Sequence, residues 1–192
     1  MRPFGAFVIW LLFEYRLAMS SSDRLKGTVV DAGPLIYLAK IGALDVFGRT
    51  APGWISPGVR REAVTPPAAY RFPEIATIDA AIRDGRILVA ELRPEEVTLA
   101  ADLEARIPGL GQGERESIAM AAGRGWSVVL LDRRALRVAR MLGVSVVAVV
   151  ELLFDRTSED EILARRLRHF ASLVDMRIDT LERLLEQVKE RS

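Results

Sequence analysis

The feature that most constrains this chain is a device that occurs twice: an apolar run, an aspartate, and then a helix. It reads Thr28-Val29-Val30-Asp31-Ala32-Gly33-Pro34-Leu35 the first time and Ser127-Val128-Val129-Leu130-Leu131-Asp132-Arg133-Arg134 the second. Continuous apolar strands separated by helices imply a parallel sheet buried on both faces. Parallel strands present their carboxyl ends at one edge, so Asp31 and Asp132 are expected on a common rim, where open α/β sheets bind their ligands. One such aspartate is as readily a helix N-cap as a ligand. Its recurrence moves the balance toward a site. Gly33 permits a tight turn after the first strand, and Pro34 is pre-set for the opening of a helix.

The composition narrows the chemistry of that rim. The 192 residues contain no cysteine and one histidine, His169. Disulfides, thiolate nucleophiles and Cys- or His-rich metal sites are thereby excluded, and any metal must be held by carboxylates. A formal net charge of +1 gives no global field, so contact with a polyanion must come from a local patch. Half of the chain is apolar, enough for one sizeable core.

Between the two devices the pattern alternates short strands with helices. Leu35, Leu38 and Ala39 follow helical spacing, with Gly42 suited to end the helix. Trp54 and Ile55 form a brief strand, and Ser56-Pro57 caps and opens a helix that carries Glu62. On the residues alone, Glu62 is a solvated acid beside Arg60 and Arg61. Glu74 to Arg83 reads as an amphipathic helix, Ile87 to Leu92 as an edge strand, and Pro94 to Arg106 as a helix closed by Pro108-Gly109. Leu110-Gly111-Gln112-Gly113-Glu114-Arg115-Glu116 then opens a helix with acids in its first turn, where they complement the helix dipole. Glu114 and Glu116 are about 200° apart on an ideal helix, so the two cannot face one point. Glu114, the earlier residue and the one on the side of Ile118 and Ala121, is the better candidate.

After Asp132 the helix carries Arg133, Arg134, Arg137 and Arg140. This is the local basic patch the balanced charge requires, with the outer two arginines as readily a solvated face. Val144 to Val150 reads as a further apolar strand that completes a sheet of four or five, with Glu151 at its end as a weaker candidate. From Ser158 two amphipathic stretches, Ile162 to Leu173 and Leu181 to Val188, read as a helical hairpin, in which His169 is structural. At the other end, Phe4 to Phe13 is shorter than the roughly 18 apolar residues that span a bilayer. It lacks a small-x-small cleavage site, and the polar stretch after Met19 looks like a natural start. Residues 1–26 are therefore expected to be a dispensable extension, 27–150 the sheet domain, and 151–192 a hairpin packed on that domain or on a partner. A cytoplasmic location without membrane association is the matching expectation.

Several carboxylates converging on one rim would raise one another's pKa values unless neutralised. Mg²⁺ or Mn²⁺ suits oxygen-only donors, and such ions serve phosphodiester hydrolysis by activating water and stabilising developing charge. Gly33, two places after the first aspartate, excludes a haloacid-dehalogenase-like phosphatase. The lack of a Gly-x-x-x-x-Gly-Lys pattern excludes a P-loop NTPase.

The stretches Val29 to Ile36, Ser56-Pro57-Gly58-Val59-Arg60-Arg61-Glu62, Gly113 to Ala119 and Leu130-Leu131-Asp132-Arg133-Arg134-Ala135 together resemble the motifs of PIN-domain proteins, in particular the PIN-like family DUF3368. The resemblance covers roughly Gly27 to Val150. It implies a three-layer α/β/α sandwich around a parallel sheet of four to five strands, with the C-terminal helical hairpin appended. It also implies a Mg²⁺- or Mn²⁺-dependent ribonuclease of the VapC toxin type, with RNA as substrate, a small antitoxin protein as partner and a homodimer as the expected assembly. The catalytic acids so implied are Asp31, Glu62, Glu114 and Asp132. Asp31, Glu114 and Asp132 are the expected metal ligands, with Glu62 and Glu116 as further candidates, and Arg133, Arg134 and Arg137 would take RNA phosphates. The chain departs from PIN nucleases at Gly33, where they usually carry a hydroxyl residue or Asn, and at Leu130, where they usually carry Thr. Leu131 stands where relatives tend to have the first of two aspartates. The other function class compatible with the resemblance is a non-cleaving module that binds RNA or a partner.

Overall fold

A computed structural model of the protein describes residues 27–64 and 72–191. The expected N-terminal extension, 1–26, lies outside the described residues. Four three-residue strands, β1 (Thr28–Val30), β2 (Gly53–Ile55), β3 (Ile87–Val89) and β4 (Ser127–Val129), form one sheet in the order β3-β2-β1-β4. All three pairings are parallel, with Thr28 opposite both Gly53 and Ser127, and Gly53 opposite Ile87. Each connection carries helix: α1 (Ala32–Lys40) and a 3₁₀ turn (Leu44–Val46), α2 (Pro57–Ala63) and α3 (Pro73–Arg83), then α4 (Pro94–Arg106) and α5 (Gln112–Arg124). After β4 come α6 (Arg133–Met141), α7 (Val149–Arg156), α8 (Asp160–Leu173) and α9 (Ile178–Lys189).

Strand side chains alternate between the faces, and this divides the apolar residues into two cores. Val30, Ile55 and Val129 point into the larger one with Leu35 and Leu38 of α1 and Val59 of α2. Val29 and Val128 point into the other, against Ile118 and Met120 of α5 and Leu136 of α6. The fold is thus the expected three-layer α/β/α sandwich.

The C-terminal helices form a hairpin whose apolar stripe, Leu163, Leu167 and Phe170 of α8 with Leu184 and Val188 of α9, belongs to the larger core. Arg166, only 7 % exposed, fastens α8 to the end of α1 and the 3₁₀ turn that follows it. Its guanidinium donates to the Gly42 carbonyl (2.8 Å), the Thr157 hydroxyl (3.1 Å) and the Asp45 carboxylate.

The fifth strand expected over Val144 to Val150 is reduced to a single parallel bridge between Val146 and Val128. The chain instead turns into α7 at Val149, because Glu151 bends back to accept the Ala148 amide at 2.8 Å and so caps the helix. Glu151 is therefore in a helix's first turn and not at a strand end. Among the described residues no helix is long and apolar enough to cross a membrane.

Candidate active site

Because β1 and β4 are adjacent and parallel, their ends lie side by side: the Asp31 amide donates to the Val129 carbonyl at 3.1 Å. Asp31 directly follows β1, whereas Leu130 and Leu131 intervene before Asp132. Both aspartates occupy N-cap positions, of α1 and α6 respectively, but they use them differently. The Oδ1 atom of Asp132 accepts the amides of Arg134 (2.7 Å) and Ala135 (2.9 Å), a full cap. Asp31 makes no side-chain capping bond. It is 7 % exposed, and its buried Oδ1 has no hydrogen-bond partner.

A buried carboxylate left without a partner is costly when ionised. Burial accordingly pushes the Asp31 pKa up from 3.8 to about 7; the nearby Ala32 amide pulls it down, while the charges of Glu114 and Glu62 push it up further. Glu114, in the first turn of α5, is also raised, first by burial and then by Asp132 and Glu62. The Gly111 amide, which donates to Glu114 Oε2 at 2.8 Å, and Arg134 both oppose that rise. Asp31 thus lies in the field of Glu114 and Glu62, and Glu114 in that of Asp132 and Glu62.

Glu62 is exposed on the last turn of α2, and its Oε1 accepts the Gly113 amide at 3.0 Å. Gly113 can only be glycine without displacing that acid, since a Cβ there would stand 3.0 Å from both Glu62 oxygens. Glu116 is bound by other groups of the protein. It is 8 % exposed, and its carboxylate is committed to the Gly58 amide (2.7 Å) and the Gln112 side-chain amide (2.8 Å), with an Arg61 guanidinium nitrogen at 3.6 Å.

Of the three arginines expected to take phosphate, Arg137 is exposed one turn into α6 and Arg133 is half-buried. Arg134 donates to the Pro108 carbonyl across the loop before α5, which places its charge near Glu114. Sequence reasoning did not identify the Gly58 and Gly113 amides as anchors for Glu116 and Glu62. The signal available was a glycine at the second position of two helices that also carry acids about one turn later.

The donors suit a hard divalent cation: they are all carboxylate oxygens, and one of them, Asp31 Oδ1, is buried and open. The acids do not converge on one point, however. Among the described residues no three acidic or histidine side chains are grouped closely enough to hold an ion. Glu62 and Glu114 are each held by a backbone amide.

Comparison with known proteins agrees with this architecture. No curated protein and no solved structure gives a significant match to the chain. The family model of DUF3368, described as a PIN domain, matches residues 27–191, which include the C-terminal hairpin. With its parallel sheet and acid-bearing rim, the chain belongs to the PIN-domain family DUF3368, a nuclease-type fold.

Proposed function

We propose that the protein is a metal-dependent endoribonuclease that hydrolyses RNA phosphodiesters and serves as the toxin of a toxin–antitoxin pair. The observation that carries this reading is Asp31: a buried carboxylate with an open oxygen at the sheet rim, in the field of Glu62 and Glu114. Asp31, Glu114 and Asp132 would hold Mg²⁺ or Mn²⁺, with Glu62 as a fourth acid. Such an ion lowers the pKa of a bound water and offsets charge that develops on a phosphodiester. Of the chain's own residues, Arg133, Arg134 and Arg137 would orient the substrate by bonds to phosphate oxygens. Arg134 first has to leave the Pro108 carbonyl. A cytoplasmic site of action and a small antitoxin partner complete the proposal.

The deciding experiment incubates the purified full chain with structured and unstructured RNA and Mn²⁺. Cleavage is expected, and Asp31→Asn and Asp132→Asn should each lower it at least about 100-fold, the scale on which losing one electrostatic contributor is felt. Cleavage that survives both substitutions overturns the site. The acids' present spacing favours a second reading, a module that binds RNA or a partner without cutting. That reading expects salt-sensitive RNA binding and no metal-dependent turnover.

A further inference from the structure

Helices α2 and α5 exchange carboxylates. Each has glycine at its second position, and the amide of each glycine is taken by an acid about one turn into the other helix: Gly58 by Glu116 at 2.7 Å, and Gly113 by Glu62 at 3.0 Å. Helix openings leave such amides unpaired. In α2, Pro57 has no amide to offer and Val59 is satisfied by the Ser56 hydroxyl at 3.1 Å, so Glu116 completes the turn. Both approaches are close, and at Gly58 only glycine admits the acid. A Cβ on Gly58 would stand 2.6 Å from Glu116 Oε2.

We infer that Glu116 is a positioning residue for the acid group: it fixes the start of α2, and through that helix it holds Glu62 against Gly113, one residue from Glu114. Its own carboxylate is buried and fully engaged by Gly58, Gln112 and Arg61, so it acts through these contacts and not on a ligand. Losing Glu116 frees the α2 end of the clasp, and Glu62 and Glu114 lose their mutual register. This inference rests on the proposed metal-dependent reading of the rim.

The test measures Mn²⁺ binding by equilibrium dialysis on the full chain, for wild type, Glu116→Ala, Glu116→Gln and Glu96→Gln. Circular dichroism at the same temperature establishes which variants are folded. Glu96 is the control, because it pairs with Arg124 at 2.7 Å in a buried salt bridge away from the clasp. Glu116→Ala should weaken Mn²⁺ binding about 10-fold or more, as expected when a support of metal ligands is removed. Glu116→Gln, which keeps an acceptor for Gly58, should restore most of it, and Glu96→Gln should lower stability without changing affinity. The amide proton shift of Gly113 is read in parallel. It should move in Glu116→Ala although that substitution removes the acceptor of Gly58 and Gln112 and leaves the acceptor of Gly113, Glu62, in place. Wild-type affinity in Glu116→Ala, an equal loss in Glu96→Gln, or an unmoved Gly113 amide overturns the inference. If wild type binds no Mn²⁺, the metal-dependent reading fails, and the Gly113 amide alone decides whether the clasp is coupled. Should Glu116→Ala not fold, the comparison of Glu116→Gln with Glu96→Gln on the same two readouts takes its place.

Discussion

Asp31 links the site to the stability of the whole protein. Its carboxyl has a pKa of about 7 in the folded chain against an ordinary 3.8. Between those values the unfolded chain has released the proton and the folded chain retains it, so metal-free stability falls as pH rises through this window and levels off above it. The gap corresponds to about 4 kcal/mol at about 1.4 kcal/mol per tenfold. Denaturant titrations in a chelator should therefore find the wild type less stable at pH 8 than at pH 5. Asp31→Asn should be flatter across that range and the more stable of the two at pH 8; a parallel pH dependence in the variant would refute the assignment. Adding Mn²⁺ at pH 8 should raise the wild-type Tm and leave that of Asp31→Asn unchanged, because only a bound ligand shifts the folding equilibrium. Gly113→Ala makes the complementary case. The exposed Glu62 side chain can swing away from the new Cβ, so metal-dependent cleavage should fall while the Tm moves little.

At this scale the two aspartates were legible because strand, acid and helix recur in the sequence, and parallel pairing puts such ends together. Glu114 was singled out as the earlier first-turn acid on the side of Ile118 and Ala121, yet it is half-buried while Glu116 is the buried acid of the pair. Glu62 became a candidate only through the resemblance, since nothing in its neighbours distinguishes it from a solvated acid. Helical rotation showed that Glu116 points away from Glu114. It could not show that Glu116 reaches the amide of a glycine 58 residues earlier.

At the scale of elements, caps separate structure from chemistry. Asp132 Oδ1 closes the first turn of α6 with two amide bonds. Asparagine caps about as well as aspartate, whereas alanine does not, at a cost of about 1 kcal/mol. Asp132→Asn should thus keep the urea midpoint of the wild type and lose RNA cleavage, while Asp132→Ala should lose both. Retained cleavage in Asp132→Asn would leave the residue a cap and nothing more. Capping also explains the element that sequence reading misjudged. Val144 to Val150 has no polar residue but Ser145 to reveal a period, and an apolar run of this length does not distinguish a buried strand from a buried helix. The decision falls to Glu151, which closes a helix over the Ala148 amide and leaves Val146 as a lone bridge.

At the scale of the whole molecule, the C-terminal hairpin completes the larger core, and the family match spans it. Its amphipathic stripe was readable from spacing. Its point of attachment was not, because one arginine among Arg165, Arg166 and Arg168 of a helix normally reads as surface. Arg166 instead reaches the Gly42 carbonyl at the end of α1, 124 residues earlier. Arg166→Leu should therefore lower unfolding free energy by about 2–3 kcal/mol, the range for buried bonds from a charged donor, as measured by urea titration. RNA cleavage at a permissive temperature should be unaffected, because the arginine lies in the layer that supports the rim and not at the rim itself.

The exchange between α2 and α5 also orders the routes by which this sequence can change. A side chain larger than hydrogen at residue 58 collides with the buried carboxylate of residue 116 while that acid is present, whereas at residue 113 the exposed Glu62 can give way. Replacing the acid first opens the space, so a later change of the glycine meets no obstacle; the reverse order passes through a strained intermediate. Descent along the Gly58–Glu116 half of the exchange therefore has a direction. Its two positions are free to drift only as a pair, and the glutamate leads.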